Sequence, residues 1–514
     1  MANKNLFQTL AGKLLRKTDA INSERAPAYA FDSRHALAQY AATGCLNATY
    51  YASAEMQLDT VLGLCDQVPA EFIAKTALYA RERGFMKDLP ALLCSYLTVK
   101  DSVLCDRVFD RVIDDGKMLR NFVQMIRSGA VGRKSLGSMP KRLVRRWFEH
   151  RDDGQVFRAT VGQDPSMADV IKLAHPRPAT ASRTALYGYL IGRAHDAAQL
   201  PGIVREFEAY KANSRNEVPD VPFQMLTALE LGQNEWVAIA RHASWQQTRM
   251  NLNTFARHGV FEKKGMTELI VARLRDANAI KGARVLPYQL MMAYLAVDSA
   301  VPSTVQDALQ DAMEIALENV PRLAGKVYVC PDVSGSMSSS ATGFRKGATS
   351  QVRCIDVAAL VAAAMLRKNE AEVLPFEQEV VSLKLNSRDS VMTNASKLAS
   401  IGGGGTNCSA PLAELNRRRA RGELVVYVSD NESWVDAGGR NTAMMAEWAE
   451  FKRRNQAAKL VCIDIQPNRT SQVYDREDIL NVGGFSDSVF ELIASFASNG
   501  DAQHWVDVIE KVAI

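Results

Sequence analysis

Beyond residue 325 the chain changes grammar, and that change limits its fold more than any other feature. Lys326-Val-Tyr-Val-Cys330, Glu423-Leu-Val-Val-Tyr-Val428 and Lys459 to Ile465 are short runs rich in β-branched and aromatic residues, the composition of buried strands. Glu372 to Phe376 and Glu379 to Leu383 are expected as further strands. Between the strands lie helical stretches, Cys354 to Lys368, Val391 to Ile401 and Thr442 to Asn455, and two more helices are expected at the end. Strands alternating with helices need right-handed crossovers and give a doubly wound parallel sheet. Ligands of such sheets sit outside the carboxyl ends of the strands, so the loops after Cys330, Ile401 and Val428 are expected to converge.

Residues 1–322 read differently, as successive helices with few β-branched runs and Gly, Pro or Asn punctuation. Expected helices include Glu71 to Arg83, Ser102 to Ser128, Lys141 to Glu149, Ala181 to Ala194, Met225 to Leu231 and Pro287 to Ala296. Neighbouring pairs recur at roughly HEAT-like distances of about 40 residues, which suggests a helical solenoid, with an irregular helical domain as the plainer alternative. The predicted architecture is therefore α + α/β, a helical unit over 1–322 followed by a parallel-sheet domain over 323–514.

The three converging loops carry the strongest chemistry. The first reads Asp332-Val-Ser334-Gly-Ser336, the second Gly402-Gly-Gly-Gly405-Thr406, the third Ser429-Asp430-Asn-Glu432. Asp332, Ser334, Ser336, Thr406 and Asp430 are oxygen donors of the kind a hard divalent cation such as Mg²⁺ accepts. A shell dominated by neutral hydroxyls leaves the cation under-neutralised and open at one position, where it attracts an acidic ligand from elsewhere. Turn-forming coincidence is the bland alternative. Glu432 is expected to support the site from outside or to lie in an exposed loop.

Enzyme signatures are missing from the same loops. Ser336 lacks the glycines of a nucleophile elbow, and no histidine lies between His258 and His504. No phosphate-binding G-x-x-x-x-G-K-[ST], no H-E-x-x-H and no strand-linked G-x-G-x-x-G occurs. The chain is therefore expected to be non-enzymatic. Eight cysteines without a CxxC pair are read as buried reduced thiols. The longest apolar run, Val357 to Leu366, is ten residues, against about twenty needed to cross a bilayer. The basic N-terminus is read as an amphipathic helix rather than a transit peptide, and the expected location is the cytoplasm.

Charge is divided unevenly, with net +7 in residues 1–325 and −2 in 326–514. Residues 117–148 contain nine Lys and Arg and no acid. Arg142, Arg145 and Arg146 are spaced to share one helical face, with Lys134 and Lys141 close in the chain. Unpaired like charges at that density suggest phosphate contacts, and a solvated helix face is the alternative. Downstream, Lys172-Leu-Ala-His175-Pro-Arg177-Pro178 ends a helix and adds three groups suited to nucleic acid.

The three loops resemble the metal-ion-dependent adhesion site of von Willebrand factor A domains. The whole chain resembles the Ro ribonucleoprotein autoantigen family, whose helical part is the TROVE module. The similarity rests on Asn47-Ala-Thr-Tyr-Tyr51, Ala80-Arg-Glu-Arg-Gly84, Lys87-Asp-Leu-Pro-Ala91, the Lys172–Pro178 segment, Asp332–Ser336 and Ser429–Glu432. Lacking the tails of eukaryotic members, it looks like a bacterial one. The resemblance implies a monomeric ring of HEAT-like repeats that binds small noncoding Y-type RNA outside and single-stranded 3′ ends of misfolded RNA through a central hole. It also implies linkage to a 3′ exoribonuclease, polynucleotide phosphorylase. His175 and Arg158 fall at RNA-contact positions of the family, whereas Gly162 stands where a basic residue is expected. A metal-dependent protein adaptor without RNA is the rival reading.

Overall fold

The computed structural model describes residues 15–43, 46–214, 216–283, 287–318, 320, 322–341, 343–344, 352–435, 441–484, 487–498 and 505–514. Most of the N-terminal amphipathic helix read from the sequence lies outside them.

Helices follow one another from Ser33–Thr43 to Ser303–Ala316, most packed on their sequence neighbours. The stretch Ser102 to Ser128 is two helices, because Asp115 accepts a hydrogen bond from the Met118 amide and starts a new helix at Gly116. The expected helix Met225 to Leu231 is replaced by a short 3₁₀ turn at Phe223–Met225.

Eight strands are described: β1 (Ala20–Ile21), β2 (Pro27–Ala30), β3 (Val327–Pro331), β4 (Ala371–Val373), β5 (Leu424–Ser429), β6 (Lys459–Asp464), β7 (Thr470–Ser471) and β8 (Ile479–Gly483). Five form a parallel sheet in the order β4-β3-β5-β6-β8. Strands β3 and β5 are buried along their whole length, as expected of a sheet covered on both faces. The register sets Pro331 beside Val428 and Ser429 beside Asp464, so the carboxyl ends of β3, β5 and β6 lie level. The stretch Glu379 to Leu383 is not a strand, because the chain folds back at Phe376 and the Val381 amide donates to the Pro375 carbonyl.

The two halves are not laid end to end. Strands β1, β2 and β7 form a small antiparallel sheet, which joins the start of the chain to its C-terminal half. The helix Trp505–Glu510 packs on Ser33–Thr43 and Ala70–Glu82, while Cys354–Lys368 and Val391–Ala399 pack on Pro287–Leu295 and Ser303–Ala316. The C-terminal domain thus touches both ends of the helical run and closes it. Trp505 is fully buried at this junction, edge-on to His35 and Tyr79. Seven cysteines are free and buried among the described residues; Cys45 lies outside them.

Replacing Trp505 by Ala should cost about 3–5 kcal/mol, the usual effect of truncating a buried Trp, read as a lowered urea midpoint. An unchanged midpoint would mean that the terminal helix is merely appended.

Candidate metal centre and nucleic-acid interface

The level strand ends bring the three loops together. Asp332 leaves β3 with its amide donating to the Val428 carbonyl of β5. Its carboxylate accepts the Ser334 amide at 2.9 Å on one oxygen and the Ser429 hydroxyl at 2.6 Å on the other. Thr406 donates its hydroxyl to Ser334 Oγ at 2.9 Å, and Ser334 and Ser336 hydroxyls lie 3.3 Å apart. The glycine loop can approach this closely because Gly403 and Gly404 take positive φ, which lets Gly335 donate its amide to the Gly404 carbonyl. A Cβ on the next residue, Gly405, would collide with the Trp434 ring.

Asp430 completes the cluster and defines it electrostatically. It is buried, and neither carboxylate oxygen has a hydrogen-bond partner among the described residues. Burial, followed by the charge of Asp332, pushes its carboxyl up to about 8. Burial likewise raises Asp332, Asp464 and, to about 7, Glu432. Buried carboxylates without counter-charges are expensive unless a cation neutralises them. Three hydroxyls and two carboxylates around the orphaned Asp430 oxygens suit a hard divalent ion such as Mg²⁺. Asp332, Ser334, Ser336, Thr406 and Asp430 would hold it, and it would supply Lewis acidity toward an oxygen ligand.

Of the two places expected for Glu432, the exposed loop is excluded. The side chain is buried, and its carboxylate accepts the Ser23 amide at 2.7 Å and the Ser23 hydroxyl at 3.2 Å. Asn22 donates to the Ser433 carbonyl at 2.7 Å, and the Phe344 amide donates to Ala48. The Tyr51 phenol comes within hydrogen-bond reach of Ser336, and burial and the charge of Asp430 raise it. The N-terminal segment therefore builds one wall of the metal site.

The basic face is less bare than its sequence suggests. Asp106 and Asp110 of the helix Ser102–Val112 face Ser138–Glu149, placing Asp106 2.7 Å from Arg146 and 3.2 Å from Arg142, with Asp110 3.0 Å from Arg146. Reading 117–148 as uncompensated is thus corrected for Arg142 and Arg146. The acids sit two helices earlier, outside residues 117–148. Arg158 is also paired, with Asp220 at 3.0 Å. Arg145 donates to the Ala174 carbonyl at 2.7 Å and has no acid partner among the described residues.

That bond carries the surviving positive cluster to the end of the helix Met167–Ala174. Lys172, His175 and Arg177 are exposed there, and neither Lys172 nor Arg177 has an ion pair or hydrogen bond among the described residues. His175 closes the helix in the left-handed conformation, φ 52°, unusual for a residue with a side chain. Lys134 is exposed and Lys141 half-buried, both unpaired among the described residues. Gly162 has a physical reason to lack a basic side chain: its φ is 115°, and a Cβ there would strike the Arg120 guanidinium. Arg120, nearly buried, instead donates to the Ala159 carbonyl at 2.7 Å.

Residues 326–497 match the family model described as the Ro60 vWA domain. Over 509 residues the chain is 24% identical to a protein named RNA-binding protein RO60 from Deinococcus radiodurans, covering 91% of this chain and 93% of that one. The chain's C-terminal domain is similar to the vWA domain of Ro60, and nearly its whole length is similar to that named RNA-binding protein. The crystal structure of the Deinococcus radiodurans RO (RSR) protein shares its fold with a TM-score of 0.62 at 22% identity, covering 91% of this chain and 99% of the other. The three loops that meet here were readable as motifs. The contact from Ser23 was not, since nothing local marks a residue that meets Glu432 from 409 positions away.

The raised carboxyls set the sign of a pH dependence. Asp430 favours the metal-free fold below its ordinary value of 3.8, and that contribution is lost as pH rises through about 8. Metal-free Tm should fall between about pH 5 and pH 8.5, and Mg²⁺ should restore it increasingly with pH, since binding the native state alone stabilises it. Asp430→Asn should flatten both responses in a calorimetric series.

Proposed function

We propose that the chain is a non-enzymatic RNA-binding scaffold, with half-buried Arg145 and exposed Lys172, His175 and Arg177 gripping RNA phosphates and the C-terminal domain holding Mg²⁺. The observation that carries this is the cluster itself. Arg145, Lys172 and Arg177 form no ion pair among the described residues, although Asp169 lies near enough to feel Lys172, whereas neighbouring arginines are satisfied within the fold. Near full-length similarity to a protein named for RNA binding supports the same reading. Lys134 and Lys141 extend the surface, while Arg142, Arg146 and Arg158 contribute only by exchanging Asp106, Asp110 and Asp220 for phosphate. The RNAs are small structured Y-type RNA and single-stranded 3′ ends of misfolded RNA, and the setting is RNA quality control in the cytoplasm by a monomeric ring. Among the described residues no helix is long and apolar enough to cross a membrane.

The metal site serves a second partner, in line with the adaptor reading. Tyr50, Phe344, Trp434 and Val435 are exposed on segments that border it, an apolar rim around a site whose cation would keep one position open to an acidic ligand from outside. A protein bearing an acidic side chain suits that surface, and the exoribonuclease polynucleotide phosphorylase is the partner proposed here.

Filter binding of single-stranded RNA across a salt series should give a log–log slope of about 0.7 per phosphate contact. The triple substitution Arg145→Glu, Lys172→Glu, Arg177→Glu should weaken binding more than tenfold and flatten that slope. Unchanged affinity would remove the cluster from the interface, and purified protein free of RNA by its ultraviolet absorbance ratio would favour the adaptor reading.

A further inference from the structure

A pocket of about 260 Å³ opens beside Arg158, between the loop Val218–Phe223 and the helices Gln233–His242, Trp245–Met250 and Leu252–Arg257. Its apolar walls include Phe223, Ile239 and the fully buried Phe255. Its polar side is formed by His242, Gln247 and Asn251. Asn251 spends its amide donor on the Gln247 carbonyl at 2.7 Å, and the Gln247 side-chain oxygen accepts the Ser244 amide at 2.8 Å. Among the described residues this leaves Gln247 Nε2 and Asn251 Oδ1 without partners, a donor and an acceptor one helical turn apart. The exposed His242 ring is also unpartnered among them, and Arg158 stands at the rim, held by Asp220.

A cavity of this size, with aromatic walls, an uncommitted amide donor and acceptor, and a guanidinium at its mouth, matches a flat heteroaromatic ring carrying a phosphate. A donor beside an acceptor is the pattern that reads the N7 and N6 edge of adenine. We propose that this pocket binds an unpaired adenine nucleotide. Phe223 and Phe255 hold the base, Gln247 and Asn251 read its edge, and Arg158 exchanges Asp220 for the phosphate. The source is an extruded base of the RNA on the neighbouring basic face, so the inference rests on the RNA-binding reading while naming a site separate from the phosphate-gripping cluster. An ion pair as exposed as Arg158–Asp220 is weak enough to open, since such pairs contribute about 1 kcal/mol or less.

Saturation-transfer NMR on the full chain, with AMP and UMP as probes, tests the pocket directly. Saturation should pass to the base protons of AMP more strongly than to those of UMP. Ala243→Met, which fills the pocket from its wall, should reduce the AMP signal about tenfold, the size expected for losing one stacked base. His242→Ala, at an exposed position without partners, should reduce it less and provides a second reading if the first variant unfolds. The same variants should weaken single-stranded RNA containing an unpaired adenine while sparing fully paired RNA, which separates RNA from free nucleotide as the source. An AMP signal equal in wild type and Ala243→Met, or absent while single-stranded RNA binds at full strength, would overturn the pocket and leave the RNA-binding reading standing. AMP bound in the pocket of a chain that binds no RNA would overturn that reading instead.

Discussion

Two carboxylates, Asp332 and Asp430, are held together in the protein interior at the level ends of β3 and β5, and much of the C-terminal architecture serves that juxtaposition. The parallel register fixes where they emerge, the glycine loop reaches them by positive φ, and three hydroxyls fill the space between. Without a cation the arrangement is costly, which is why Asp430 retains its proton to near-neutral pH. Stability and ligation are therefore linked through one group.

The helical half solves a different electrostatic problem. Its basic helices pack against others, so acids on one helix neutralise arginines on another, as Asp106 does for Arg142 and Arg146. Charges left without such neighbours gather at the end of Met167–Ala174. Helix carbonyls there already favour cations, so positive groups at this position stabilise the fold as well as the surface. The left-handed His175 ends the helix and turns the chain into the Pro176–Pro178 segment that carries Arg177.

The alternating strands and helices were readable because parallel strands, buried on both faces, write themselves as apolar runs. Strand β8 escaped notice because its centre is Asn481, a polar residue satisfied internally by Ser471, Val473 and Asp475. The metal-site donors were legible as three short motifs, each anchored to a strand end. The pairing of Arg142 and Arg146 was hidden, because spacing within a window carries no information about the helix packed against it. The partner of Glu432 was hidden for the same reason: only the folded chain brings Ser23 to it.

Joining the start of the chain to its C-terminal half has a consequence for synthesis. Asn22 and Ser433 are 411 residues apart, and β2, paired locally with β1, finds its second partner only in β7. The N-terminal segment emerges from the ribosome long before the surface that receives it, and its strand edge stays unpaired while the helices behind it form. Packing of the C-terminal domain on both ends of the helical run, and completion of the wall beside Glu432, are thus late steps, reached after both halves exist, and the nascent chain carries an exposed β-edge until then.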